Sequence, residues 1–274
     1  MQRDKHTILS HKIIFSHANG YPAGSYRILT EAVGTQYSIQ SFDHRPLWGE
    51  PPPGQFLSWQ IYANDLIERI EADRAGPVWL IGHSMGAASG ILAAARRPEL
   101  FAGIVALDPV LVPTRIWFWS VLVNRLMPSG MPIIKRALAR PHEFDDLDSA
   151  FTFYRGKRVF SAISDEVLRD YVEAGHTDSQ GGGVRLRYSG AWEACVYRSV
   201  PRMTPSLSAL TCPVLIVAGD ASTVLTRATL EGVLQLNPRI SSVVLPGGHL
   251  LPLESPEQCA EHALAFIEAH DQEL

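Results

Sequence analysis

The segment Gly82-His83-Ser84-Met85-Gly86 sets a hydroxyl between two glycines, directly after the apolar run Val78-Trp79-Leu80-Ile81 and directly before the small residues Ala87, Ala88 and Gly90. A strand that turns at once into a helix brings backbone segments too close for side chains. Glycines on either side of the serine let that turn close and leave the hydroxyl projecting at the helix N-terminus. A serine hydroxyl is a weak nucleophile until a neighbouring base takes its proton, so a histidine is required. His249 is the candidate, in Pro246-Gly247-Gly248-His249-Leu250-Leu251, between the last apolar run and the last helical pattern. A loop in that position opens at the carboxyl edge of a parallel sheet, the edge that would also carry Ser84. The chemistry expected of the pair is nucleophilic attack by Ser84 with His249 as general base.

The elements that must position these two residues are legible as alternating patterns. Short apolar runs at residues 12–15, 37–42, 78–81, 103–107, 214–218 and 242–245 read as strands. Between them lie helical patterns such as residues 59–72, where Ile61, Tyr62, Asp65, Leu66, Arg69 and Ile70 recur three and four apart. Strand and helix in alternation predict an α/β fold, a mostly parallel sheet flanked by helices. The alternation stops after Asp108 and resumes near Cys212. Residues 111–205 read as one inserted helical unit without a strand, which divides the chain into a core of residues 1–110 and 206–274 and an insertion.

At this point the chain resembles the α/β-hydrolase superfamily, specifically its lid-bearing serine hydrolases. Besides the serine turn and the Gly-Gly-His loop, the resemblance rests on Ser16-His17-Ala18-Asn19-Gly20 after the first strand, Phe42-Asp43-His44-Arg45, and Asp65 in the helix before the serine strand. It implies a helical cap inserted between the sixth and seventh strands of the family. It also implies an oxyanion hole of two backbone N–H groups, here from Met85 and Asn19, with the Asn19 side-chain amide as a further donor. His17 reads as structural. Only about a dozen residues precede the first strand, so the strand pair that opens such sheets is expected to be absent or vestigial.

The acid that orients the histidine departs from the family's pattern. Relatives usually carry it a few residues after a glycine that ends the seventh strand, and Ser222 and Thr223 hold no carboxylate there. Asp108, which ends the run Val105-Ala106-Leu107, is the favoured acid, Asp220 the alternative, and a dyad or a carboxylate elsewhere, such as Asp43, stays open.

Half of the aromatic residues fall in the insertion, Trp117, Phe118 and Trp119 among them. An aromatic cap over the serine would favour a small-molecule substrate with an apolar acyl or aromatic group, with Trp117 and Trp119 as substrate-binding candidates. The same residues could instead form the core of the cap, and residues 116–127 could rest on a lipid surface. The reaction expected is cleavage of a carboxylic ester through an acyl-serine intermediate, without metal or organic cofactor. Thioester and carbon–carbon bond hydrolysis use the same machinery. A non-catalytic ligand-binding receptor is the rival class, disfavoured because neither Ser84 nor His249 is missing.

A net charge of −4 supplies no broad positive field for nucleic acid. Cys195, Cys212 and Cys259 lack paired spacing and read as buried, reduced thiols. No signal-peptide pattern opens the chain and no apolar stretch reaches the roughly 20 residues of a membrane span, so a cytoplasmic location is expected. The oligomeric state is not encoded in any pattern.

Overall fold

A computed structural model describes residues 11–52, 54–73 and 76–271. The expectation about an opening strand pair falls on residues 1–10, outside the described residues. Six strands, β1 (Ile13–Ser16), β2 (Ile39–Phe42), β3 (Val78–His83), β4 (Phe101–Leu107), β8 (Val214–Gly219) and β9 (Ile240–Leu245), pair in the order β2-β1-β3-β4-β8-β9. Every pairing in this sheet is parallel. The helices are α1 (Arg27–Gly34), α2 (Gln60–Asp73), α3 (Met85–Arg96), α4 (Thr114–Leu126), α5 (Pro132–Leu138), α6 (Leu147–Arg155), α7 (Asp165–Gly175), α8 (Gly190–Arg198), α9 (Thr204–Ala209), α10 (Arg227–Leu234), α11 (Leu251–Glu254) and α12 (Pro256–Asp271).

The sheet is covered on both faces, and its central strands, apolar but for Ser16 and His83 at their ends, are buried at every position. Alternate residues point to opposite sides. Ile14, Leu80, Ile104, Ala106, Val214 and Ile216 pack into one buried cluster with α2, α3 and α10. Ile13, Phe15, Trp79, Ile81, Val105, Leu107, Leu215 and Val217 pack into a second with α1 and α12. The two edge strands, β2 and β9, have only partly buried sequences, as expected where one side meets solvent.

Strand order reverses direction at β1. The chain first steps outward to β2, then returns across β1 to β3 and continues the other way. At such a switch point the loops leaving two adjacent strands part, and a crevice opens at their carboxyl ends. The loop after β1 carries Asn19 and the turn after β3 carries Ser84.

The region between β4 and β8 departs from the purely helical unit expected. It contains α4 to α9 and also a small antiparallel sheet of β5 (Glu143–Phe144), β6 (His176–Asp178) and β7 (Val184–Leu186), in the order β5-β7-β6. These strands are two or three residues long, too short for a period-two pattern to register in the sequence. Its aromatic residues do not form a separate core. Tyr154, Phe160 and Tyr171 join the cluster of Phe15 and Tyr26 on one face of the main sheet, and Trp192 donates its ring N–H to the Glu50 carbonyl, 2.6 Å away. Met203, Leu207 and Leu210, around α9, are buried with α2 and α3.

Cys195, Cys212 and Cys259 are free and buried, and burial pushes their thiols up to about 11, 11 and 12 respectively. No helix among the described residues is long and apolar enough to cross a membrane.

Gly86 is where α3 passes closest to the first loop. A Cβ there would lie 2.1 Å from the Ser16 carbonyl oxygen and 2.6 Å from that of His17. Both are backbone atoms that cannot rotate away. Gly86→Ala should therefore lower stability by about 2 kcal/mol or more, read as a fall in the urea midpoint without a change of slope. An unchanged midpoint would mean that the two segments are free to separate.

Candidate active site

Ser84 sits between β3 and α3 with φ 53° and ψ −111°. A side chain in that region of backbone space is costly and persists only where its surroundings enforce it. Here the Ser84 N–H donates to the Leu107 carbonyl at 3.0 Å and the Ser84 carbonyl accepts from Ala88 at 3.1 Å. These bonds hold the residue from both sides, and the hydroxyl projects from the strand-to-helix turn.

Ser84 Oγ lies 3.0 Å from His249 Nε2. On the other side of the ring, His249 Nδ1 lies 2.5 Å from Asp108 Oδ2. A neutral imidazole has one donor and one acceptor nitrogen. The carboxylate fixes the proton on Nδ1, which leaves Nε2 as the acceptor for the serine hydroxyl. Asp108 itself is fully buried. Its Oδ2 also accepts from the Ser222 hydroxyl at 2.6 Å, and its Oδ1 accepts from the Gly219 N–H at 3.2 Å. Asp108 has φ 39°, a conformation that Asp tolerates better than most residues.

The two other carboxylates weighed as the acid lie elsewhere. Asp220 is exposed, and its Oδ1 accepts from the Gly247 N–H at 3.0 Å, which shapes the loop that carries His249. Asp43 Oδ1 is 3.9 Å from His17 Nε2 and Asp43 Oδ2 is 3.8 Å from an Arg187 nitrogen. The serine at position 222, where relatives were expected to hold the acid, instead donates its hydroxyl to Asp108.

Met85 and Asn19 place their backbone N–H groups at the first turn of α3 and in the loop after β1. Neither N–H has a protein acceptor among the described residues; for Met85 this is the open donor expected at a helix N-terminus. The Asn19 side chain is engaged: its Nδ2 donates to the Glu193 carbonyl at 3.3 Å and its Oδ1 accepts from the Tyr188 hydroxyl at 2.6 Å. That leaves the backbone of Asn19, rather than its amide side chain, open toward a ligand. His17 is fully buried, donating from Nδ1 to the Ala18 carbonyl and accepting at Nε2 from the His44 N–H. Burial pushes both rings below the ordinary imidazole value, so they stay neutral.

Trp117 and Trp119 do not join this group of residues. Trp117 turns its ring N–H onto the Val200 carbonyl at 2.9 Å, and Trp119 is 69% exposed on the outer side of α4. Among the described residues, no three or more His, Cys, Asp and Glu side chains gather so as to hold a metal ion.

One residue of the site escaped sequence reasoning. His83, the residue before the serine, is fully buried; its Nε2–H donates to the His249 carbonyl at 2.8 Å and its Nδ1 accepts from the Tyr26 hydroxyl at 2.7 Å. Burial, and then the nearby His249, push it well below the ordinary histidine value. It is thus a neutral strut between the serine turn and the histidine loop. Its position in the motif was visible, but its partners lie 57 and 166 residues away.

A profile of the alpha/beta hydrolase family matches residues 13–262. The chain belongs to the alpha/beta hydrolase family. Within the family it is 28% identical over 209 residues to 2-(acetamidomethylene)succinate hydrolase of Mesorhizobium japonicum, an alignment covering 76% of this chain and 70% of that one. A crystal structure of E-2-(acetamidomethylene)succinate hydrolase superposes with a TM-score of 0.78 at 25% identity, covering 94% of this chain and 91% of that one. Human monoglyceride lipase is 30% identical over 128 residues, 44% of this chain and 42% of the lipase. These relatives support a hydrolytic function for this member of the family.

Two substitutions separate the carboxylates, read as the rate at which a fluorophosphonate labels Ser84. Asp108→Asn should slow labelling roughly 10,000-fold, as loss of an orienting carboxylate does in a serine triad, whereas Asp220→Asn should stay within about tenfold. The reverse ranking would reassign the acid. His83→Phe keeps a ring in place but removes both hydrogen bonds, and should slow labelling by roughly 10- to 100-fold through misplacement of His249. A rate equal to that of the unaltered chain would show that the strut positions nothing.

Proposed function

We propose that this hydrolase cleaves a carboxylic ester or a related acyl compound through an acyl-serine intermediate. The observation that carries the proposal is the unbroken relay from Ser84 Oγ to His249 Nε2 at 3.0 Å and from His249 Nδ1 to Asp108 Oδ2 at 2.5 Å.

In this reading His249 takes the Ser84 proton as the oxygen attacks the substrate carbonyl, and the imidazolium formed is stabilised by the buried Asp108 carboxylate. The negative charge that develops on the carbonyl oxygen is met by the open N–H groups of Met85 and Asn19, with the positive end of α3 behind them. His249 then protonates the leaving group, and the acyl-serine is hydrolysed by water activated by the same ring. Ser84, His249 and the hydrolytic water account for every proton that moves, so the proposed cycle calls on no metal or organic cofactor.

The substrate is proposed to be a small molecule with an apolar acyl or aromatic group. The relative that aligns over most of this chain acts, by its name, on an acetamido compound, which favours including activated amides among the acyl compounds tested.

The deciding assay is hydrolysis of p-nitrophenyl esters from acetyl to long-chain acyl, with p-nitroacetanilide beside them. Ser84→Ala should lower turnover by at least about 1,000-fold on whichever compound is cleaved. Turnover in Ser84→Ala within about tenfold of the unaltered enzyme would overturn the acyl-serine mechanism.

A further inference from the structure

Helix α4 is built inside out. Its one fully enclosed residue is the polar Asn124, whose Nδ2 donates to the Arg198 carbonyl at 3.3 Å, and Trp117 on the same inner side donates to Val200. The opposite side carries the large apolar residues: Ile116 is 58% exposed, Phe118 64%, Trp119 69% and Leu126 73%, with Leu122 and Met127 exposed beside them. Half of the exposed large hydrophobic residues of the described chain lie on these twelve positions, 116 to 127. A contiguous apolar surface of this kind on a water-soluble fold marks a face that meets something other than water.

Charge on the same face identifies the partner. Arg115, Phe118, Trp119, Leu122, Arg125 and Leu126 fall on one stripe at three- and four-residue spacing, with an arginine near each end. Lys135 and Arg136 on the neighbouring α5 are exposed as well. None of these four cations forms an ion pair among the described residues, and residues 109–142 contain no Asp or Glu although the whole chain carries a net charge of −4. A protein partner would have to match the side chains of this one helix in shape. A fluid surface accepts such a face as it stands: apolar side chains enter the acyl region, Trp sits at the boundary, and arginines meet negative headgroups.

We propose that α4, with the cationic start of α5, docks this enzyme onto an anionic phospholipid surface, lying in the interface rather than crossing it. At 13 residues α4 spans roughly 20 Å, shorter than a bilayer's hydrocarbon core of about 30 Å.

The test is co-sedimentation of the full chain with sucrose-loaded vesicles of phosphatidylcholine alone and of phosphatidylcholine with 30% phosphatidylglycerol. The chain should pellet with the anionic vesicles and only weakly with the neutral ones, and its tryptophan emission should shift to the blue. Phe118→Glu/Leu122→Glu should abolish pelleting, and Arg115→Gln/Arg125→Gln should weaken binding to anionic vesicles about 10- to 30-fold, both variants melting at the temperature of the unaltered chain. Failure of the unaltered chain to pellet with either vesicle would overturn the proposal. So would a dimer in solution that the Phe118→Glu/Leu122→Glu variant dissociates while vesicle binding is absent, since the face would then be covered by a second copy. Because the readout is binding and not hydrolysis, neither result bears on the acyl-serine reading.

Discussion

The geometry of this site depends on a buried anion. Asp108 is fully enclosed, and an ionised carboxylate without water is stable only where donors replace its hydration. Three donors do so: the His249 ring N–H, the Ser222 hydroxyl and the Gly219 N–H. They come from two separate stretches of chain, the end of β8 with the turn that follows it and the loop after β9. Each donor therefore draws its loop to a single point above the sheet. Removing any one leaves the carboxylate short of a partner, so the loops are held together by the same interaction that orients the imidazole.

Beside that anion, neutral rings serve as struts. His83, His17 and His44 are buried and held below the ordinary imidazole range by desolvation. A neutral ring still offers one donor and one acceptor, which is what a strut between two backbone segments needs. His83 links Tyr26 to the histidine loop, and His17 links the first loop to the segment after β2. The Tyr26 oxygen is also 3.4 Å from the Ala18 N–H, so the loop bearing Asn19, the serine turn and the His249 loop share one hydrogen-bonded frame.

The inserted region obeys a different constraint. Its inner side is tied to the core by aromatic packing and by ring N–H groups donating to backbone carbonyls across the boundary, from Trp192 to Glu50 and from Trp59 to Val196, while α4 turns its apolar side outward. Within the insertion aromatic residues thus face both inward and outward, and composition alone could not tell the two apart. Trp117 and Trp119, two residues apart in sequence, face in different directions because successive helical positions turn by about 100°.

Much of this protein was legible in the sequence because its signals are local. The six sheet strands are short apolar runs between turn residues, and the serine turn needs small residues at fixed offsets, so both leave a mark within a few positions. The partnership of Ser84 with His249 followed from loop order, since strand-to-helix loops of a parallel sheet open on one edge. The tertiary structure decided what depends on distant chain segments meeting. It set Asp108 rather than Asp220 against the imidazole, gave Ser222 the task of donating to that acid, and revealed His83 as a strut between partners far apart in sequence. It also produced the small sheet of β5, β6 and β7, whose strands form only because their neighbours hold them. A hydrogen bond between residues 141 positions apart, as between Asp108 and His249, leaves no spacing rule in the chain, because only the packing of the whole sheet brings its two ends together.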